Sequence, residues 1–252
     1  MKLLDTVLHR HAMRVWRRTA RNAPAMSMDE LRRIRSRGAR LGHFLHEALA
    51  VAEHRLALPL VGSAAFPRPH GTDWSWRPEI WRLPLPAPGI ASVQSKSMLG
   101  REVTLFHDCT HSELSLRQVR NTREADLAPY GLRMDVFAFD GSFLSLVIDL
   151  PQEATEGLTR RHLLRLDTII EMEKPLEIFA RLNIRHGPNT AQIVRELPFA
   201  AQENTIEFDL AYSQINEKRV ERAWIDVIFE NPAMSQVTLR DITFSRRPRA
   251  AL

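Results

Sequence analysis

Two period-two patterns run through residues 163–185, LLRLDTIIEMEKPLEIFARLNIR. Leu164, Leu166, Thr168, Ile170 and Met172 share one side, opposite Arg165, Asp167, Glu171 and Glu173. After Lys174-Pro175, Leu176, Ile178, Ala180, Leu182 and Ile184 share a face, opposite Glu177, Arg181, Asn183 and Arg185. Alternation of this kind predicts two half-buried strands joined by a tight connection. A proline is tolerated there because the turn nitrogen owes no ladder hydrogen bond.

Similar patterns predict further strands near 92–96, 102–107, 113–119, 132–139, 143–150, 191–197, 205–212, 223–230 and 236–245. Leu99-Gly100, Asp140-Gly141, Gly187-Pro188-Asn189 and Asn231-Pro232 supply turn signals between them, and Asp140-Gly141 reads as a primed-turn hairpin. In the last strand, Val237 and Leu239 hold one phase while Ile242 and Phe244 hold the other, which predicts a bulge near Arg240-Asp241. Many alternating strands with no helices between them imply an antiparallel β-sandwich, jelly-roll-like in plan.

The first quarter follows a different period. Leu4, Leu8, His11 and Val15 predict a short amphipathic helix over 3–21, which Asn22-Ala23-Pro24 ends. Ser27-x-x-Glu30 is a capping-box pattern and opens a second helix running to about Leu58. Leu31, Ile34, Gly38, Leu41, Leu45, Ala48 and Ala52 form a heptad seam along it. The two helices can fold as an antiparallel hairpin or pair with copies from other subunits. The expected organisation is a basic helical docking or oligomerisation segment over 1–60, a Pro/Trp-rich connector over 61–90 and a sandwich domain over 91–252. Trp74, Trp76 and Trp81 lie in the connector, so it is expected to be ordered and pinned by its indoles. The tail from Arg246 to Leu252 is expected to fray.

Charge sharpens this division. The net charge is +5, yet residues 1–60 hold 12 Lys/Arg against 5 Asp/Glu. The remainder is slightly acidic, so an anionic partner belongs with the N-terminal quarter. No apolar run is long enough for a membrane-spanning helix, and the N-terminus lacks a signal-peptide core. Cys109 is the single cysteine, which forbids an intramolecular disulfide. Together these favour cytoplasmic synthesis without a signal peptide.

The last third, LEIFARLNIR followed by INEKRVERAWIDVIFENPAMSQVTLRDITFSR, resembles the closing strands of galactose-binding-like jelly rolls, including many carbohydrate-binding modules. The FHDC, RQVRNTREADLAP, GSFLSLVIDLP and FARLNIRHGPN stretches resemble an uncharacterised alphaproteobacterial family of unknown function, which implies no activity and lends no catalytic residues.

Candidate chemistry is sparse. Trp74, Trp76 and Trp81 are either a stacking platform for sugar rings or anchors of the connector. Arg181, Asn183 and Arg185, continued by His186 and Asn189, form an outward polar row suited to hydroxyls or carboxylates. The plainer reading of that row is a solvated face paired with Glu171, Glu173, Glu207 or Asp209. His107, Cys109 and His111 could converge on a metal only with strain, so neither a metal nor a cofactor is expected. Asp135, Asp149 and Asp226 are the carboxylates a glycosidase would need to bring together. No phosphate-binding loop, dinucleotide fingerprint or nucleophile elbow is present. The leading expectation is a non-catalytic binding protein. Its sandwich recognises a glycan or a protein surface, and its helices form a homo-oligomer or attach it to a larger assembly. Nucleic acid is disfavoured as a partner, because the arginines of the second helix occupy too many angles for one recognition face. Membrane contact through the helices stays open. The alternatives are a polysaccharide-acting enzyme on the sandwich, and an intracellular structural or regulatory protein touching membrane or nucleic acid through residues 1–60.

Overall fold

A computed structural model describes residues 2–57, 65–123, 126–198 and 203–249. The chain divides into two compact units, Met1–Ala50 and Val51–Leu252, and the division falls inside the second helix. The boundary expected at residue 60 and the expected helix end at Leu58 both lie outside the described residues.

The first unit contains helix α1 (Lys2–Asn22), a 3-10 turn (Ala23–Ala25) and the start of helix α2 (Met28–Ala57). The capping box forms as the sequence requires. Glu30 Oε2 accepts from the Ser27 backbone N–H at 3.0 Å, and Glu30 N–H approaches Ser27 Oγ at 3.4 Å. The tip of the Trp16 indole lies against Gly38, where an added Cβ would meet it at 3.6 Å.

The second unit is an antiparallel β-sandwich. Its strands are β1 (Trp74–Trp76), β2 (Gly89–Ala91), β3 (Ser97–Leu99), β4 (Val103–His107), β5 (Leu114–Arg120), β6 (Tyr130–Val136) and β7 (Leu144–Asp149). They continue as β8 (His162–Met172), β9 (Ile178–His186), β10 (Asn189–Leu197), β11 (Glu203–Asp209), β12 (Val220–Phe229) and β13 (Ser235–Pro248). A one-turn helix, α3 (Glu79–Arg82), follows β1. One sheet runs β11-β8-β13-β6-β5-β2, with β1 also paired to β13; the other runs β10-β9-β12-β7-β4-β3. From β6 onward the chain passes repeatedly between sheets, the jelly-roll habit.

The alternation read from sequence is the core. Leu164, Leu166 and Ile170 of β8 face Leu182, Ile184 and Ala180 of β9 across a buried interior completed by Leu105, Leu146, Phe208, Phe229 and Phe244. Each fully buried large apolar side chain contributes about 1.5–3 kcal/mol relative to exposure. β8 and β9 lie in different sheets, so Glu173–Glu177 is a crossing rather than a hairpin, plugged by the buried Leu176. The expected bulge is present: β13 shifts register against β8 between Leu239 and Asp241. Beyond it β6 no longer pairs with β13, and β1 takes the vacated side opposite Phe244–Arg246.

Several expectations are corrected. Asp140-Gly141 is not a hairpin turn, because β6 and β7 belong to opposite sheets. The glycine answers instead to close approach: a Cβ at Gly141 would lie 2.5 Å from Asp108 Oδ1. Residues 92–96 do not form a strand, since Ser92 and Lys96 take φ of 48° and 70°. Leu210–Tyr212 leaves the sheet as a 3-10 turn. Arg246 does not fray; it sits in β13, buried, donating to Asp73 at 3.0 Å and to the Ala154 and Glu156 carbonyls. Ala250–Leu252 lie outside the described residues.

Candidate functional site

The outward face of the β10-β9-β12-β7-β4 sheet carries an open groove of about 550 Å³. Strand parity builds it. In β12, Ala223, Ile225, Val227 and Phe229 are buried, so Arg222, Trp224, Asp226 and Ile228 point outward. Pairing then sets neighbours. Gln192, Asn183 and Trp224 stand in one row across β10, β9 and β12, and Asp149 of β7 completes it. Arg181, Asp226 and Val147 form the next row, and Ile228, Ser145 and Phe106 the third.

The polar end is a connected network. Arg181 Nε and Nη2 reach Asp226 Oδ2 at 2.8 and 2.7 Å. Asn183 Nδ2 donates to the same oxygen at 3.0 Å, and Gln192 Nε2 donates to Asn183 Oδ1 at 2.9 Å. Asp226 and Asn183 are buried and Arg181 is half-buried, so the network holds its geometry before any ligand arrives. Arg222 lies over the half-buried Trp224 and pairs with Asp149.

The apolar end is made by Phe106, Phe143 and Ile228. Between them the Ser145 Oγ is buried with no hydrogen-bond partner among the described residues. Phe143 is positioned from outside the groove. Asp108 accepts from Ser142 N–H at 2.7 Å, Ser142 Oγ at 2.6 Å and Phe143 N–H at 3.2 Å. The Ser142 hydroxyl and these backbone donors hold the Asp108 carboxyl below its ordinary value.

The residues expected to bind ligand do not form one site. Arg181 and Asn183 line the groove just described. Arg185 is exposed and pairs with Glu221 at 3.2 Å. His186 and Asn189 line a separate depression of about 770 Å³ at the β10 edge, beside Gln192 and the exposed Tyr212. The acidic partners expected for the polar row are also corrected. Glu171, Glu173, Glu207 and Asp209 lie on or beside the other sheet; Asp226 and Glu221 take their place.

The three connector indoles do not make an exposed platform. Trp81 is 0% exposed and donates through Nε1 to the Leu239 carbonyl at 2.9 Å. Trp74 and Trp76 are half-buried against the core, and Trp76 stacks on Phe244 with ring centroids 5.7 Å apart. Trp81, enclosed in the core, cannot also present its face to a ligand.

His107 is committed to the fold. Its Nδ1 accepts from the Cys109 backbone N–H at 3.1 Å, which leaves Nε2 to donate to the Val93 carbonyl at 2.9 Å. Burial pushes the Cys109 thiol up, away from reactivity. Among the described residues no three His, Cys, Asp or Glu side chains are grouped to hold a metal. Asp135 lies on the opposite sheet from Asp149 and Asp226.

Sequence reasoning missed Trp224, Phe106, Phe143 and Gln192. The parity of β12 held the signal for Trp224, which breaks phase with four inward apolar residues.

The sandwich is similar to several solved structures. Against the enzymatically active domain of tailspike protein 4 from bacteriophage CBA120, the TM-score is 0.41 at 11% identity, covering 61% of this chain and 21% of that one. Against the family 11 carbohydrate-binding module of Clostridium thermocellum, it is 0.38 at 12% identity, covering 63% and 96%. Against the C-terminal family 22 carbohydrate-binding module of a xylanase from the same organism, it is 0.38 at 8% identity, covering 74% and 99%. No curated protein matches the sequence. Over residues 1–252 the chain belongs to the family of unknown function DUF6478.

Proposed function

We propose that this protein is a non-catalytic glycan-binding protein whose ligand lies across the outward face of β9 and β12, with the helices attaching it to a larger body. One observation carries the reading. Trp224, a half-buried indole, stands beside a preformed network of Arg181, Asn183, Gln192 and Asp226 in an open groove. A sugar ring presents an apolar C–H face and a rim of hydroxyls. An indole suits the first, and planar amide and guanidinium groups suit the second. The groove volume of about 550 Å³ falls in the range of small-ligand sites. Rigid polar partners reduce the ordering cost of binding. Attachment through the helices would raise the avidity of a weak single site.

The test is binding of the full-length protein to a broad set of polysaccharides by calorimetry, with Trp224→Ala and Asn183→Ala beside it. Selective binding that weakens by about tenfold or more in Trp224→Ala supports the reading. A folded protein that binds no glycan overturns it and moves the groove to a protein partner.

Hydrolysis is the second reading, and one observation favours it. Asp149 opposes Trp224 while Asp226 opposes Val147, so the two carboxylates are diagonal neighbours across β7 and β12. Such neighbours stand about 7–8 Å apart at the backbone, so both carboxyls rise from the same side of the sheet, as a glycosidase pair requires. Both are tied to arginines, Asp149 to Arg222 and Asp226 to Arg181. Release of reducing ends from a bound polysaccharide, lost in Asp226→Asn, would replace the binding reading with this one.

A further inference from the structure

The helical unit carries apolar side chains on its surface. None of its described side chains is buried. Leu41, Phe44, Leu45 and Leu49 are all exposed along α2, Phe44 by 66% and Leu49 by 57%. Their three- and four-residue spacing puts them on adjoining turns of one side. On α1, Leu8 and Val15 are exposed and share a face. Helices with so little packing are marginal in water, and a contiguous apolar set marks a surface that something covers.

Charge decides what covers it. Residues 1–60 hold 12 Lys/Arg and 5 Asp/Glu. Arg10, Arg14, Arg17 and Arg21 recur at helical spacing along one side of α1, and Arg33, Arg37 and Arg40 flank the apolar set of α2. All those arginines are exposed; Arg33 donates to the Asp29 carbonyl and acts on the nearby Glu30 carboxylate, and no ion pair engages the others among the described residues. A second copy would bring an equal positive charge to the same face. A nucleic-acid backbone would satisfy the arginines and leave Phe44 and Leu49 in water. An anionic bilayer surface satisfies both, taking apolar side chains at the acyl boundary and guanidinium heads at the phosphates. We infer that the helical unit docks on an anionic lipid surface, with Leu41, Phe44, Leu45 and Leu49 inserted and the arginines on the headgroups. This inference stands on the helices alone and does not depend on the glycan reading.

The experiment is co-sedimentation of the full-length protein with vesicles. One set holds about one-third phosphatidylglycerol in phosphatidylcholine, the other phosphatidylcholine only. Expected is binding to the first set and not the second, weakened by salt. Phe44→Ser with Leu49→Ser should weaken it by about tenfold or more. Arg14→Gln with Arg17→Gln should do likewise. Trp224→Ala should sediment as wild type. Equal binding to both vesicle sets, or none to either by a folded protein, overturns the inference. So does self-association lost in the Phe44/Leu49 variant, which would make a second copy the occupant. Salt-sensitive binding to duplex DNA without vesicle binding also overturns it.

Discussion

The guanidinium carbon of Arg222 lies 4.7 Å from the ring centroid of Trp224, and its Nη2 holds Asp149 at 2.9 Å. The indole face is therefore covered in the free protein, and a ring that stacks on Trp224 must displace the arginine. The cover is weak: a partly exposed cation–π contact is worth about 0.5–1 kcal/mol, and an exposed ion pair about 0–1. Arg222→Ala should bind glycan as tightly as wild type or up to about tenfold more tightly. Trp224→Ala should weaken binding strongly. Calorimetry on both variants checks the pair, and a large loss in Arg222→Ala would make that residue a ligand contact instead.

Asp108 holds Phe143 without touching the groove. Its carboxyl gathers Ser142 N–H, Ser142 Oγ and Phe143 N–H. Asp108→Ala should loosen the β6–β7 crossing, lower the unfolding midpoint modestly at neutral pH and weaken ligand binding. The pH dependence has a definite sign. The folded carboxyl titrates below its ordinary value of 3.8, so its contribution is fully present above that value and is lost as pH falls through the folded one. Stability measured by urea unfolding from neutral pH down to that range should therefore fall less steeply in Asp108→Ala than in wild type.

The elements that sequence made legible are those whose periodicity is set by burial. β8 and β9 alternate because one side of each meets the core, and the phase slip at Arg240 survives as a register shift. The identity of neighbouring strands is not encoded that way. Arg181 and Asn183 were legible as outward residues, but β12 inserts between β9 and β7, so their partner is Asp226 rather than an acid nearer in sequence. Asp140-Gly141 carries the residues of a hairpin turn, yet its flanking strands are claimed by opposite sheets. Trp81 and Trp224 show the same limit from both sides. An indole in a proline-rich stretch went to the core, and one in an apolar strand went to the surface. Residue type alone does not separate those fates.

Arg77 and Asp241 form a buried bidentate pair, Nε to Oδ1 at 2.9 Å and Nη2 to Oδ2 at 2.7 Å, which ties the segment before α3 to the bulge of β13. Burial raises the Asp241 carboxyl while Arg77 pulls it down. Arg77→Met keeps the burial and removes the counter-charge, so it should cost about 3–5 kcal/mol at neutral pH. The folded carboxyl then titrates still higher than the unfolded value of 3.8, so the folded form of the variant gains a proton first on acidification. Its deficit relative to wild type should shrink as pH falls. Arg77→Met with Asp241→Leu should return close to wild type, because no lone charge is left inside. Urea unfolding of the three proteins at several pH values checks all of this.

Trp81 separates anchoring from recognition. It is fully buried, packs beneath β13 and hydrogen-bonds the Leu239 carbonyl at 2.9 Å. Trp81→Phe keeps most of the apolar volume but leaves that carbonyl without its donor, a loss of about 1–3 kcal/mol. Trp81→Ala adds a cavity and should cost about 3–5 kcal/mol. Neither change reaches the groove, since Leu239 belongs to the opposite sheet. Trp81→Phe should therefore lower the unfolding midpoint while its glycan affinity, measured well below that midpoint, equals wild type. Equal stability with reduced affinity would place Trp81 in recognition after all, against its burial.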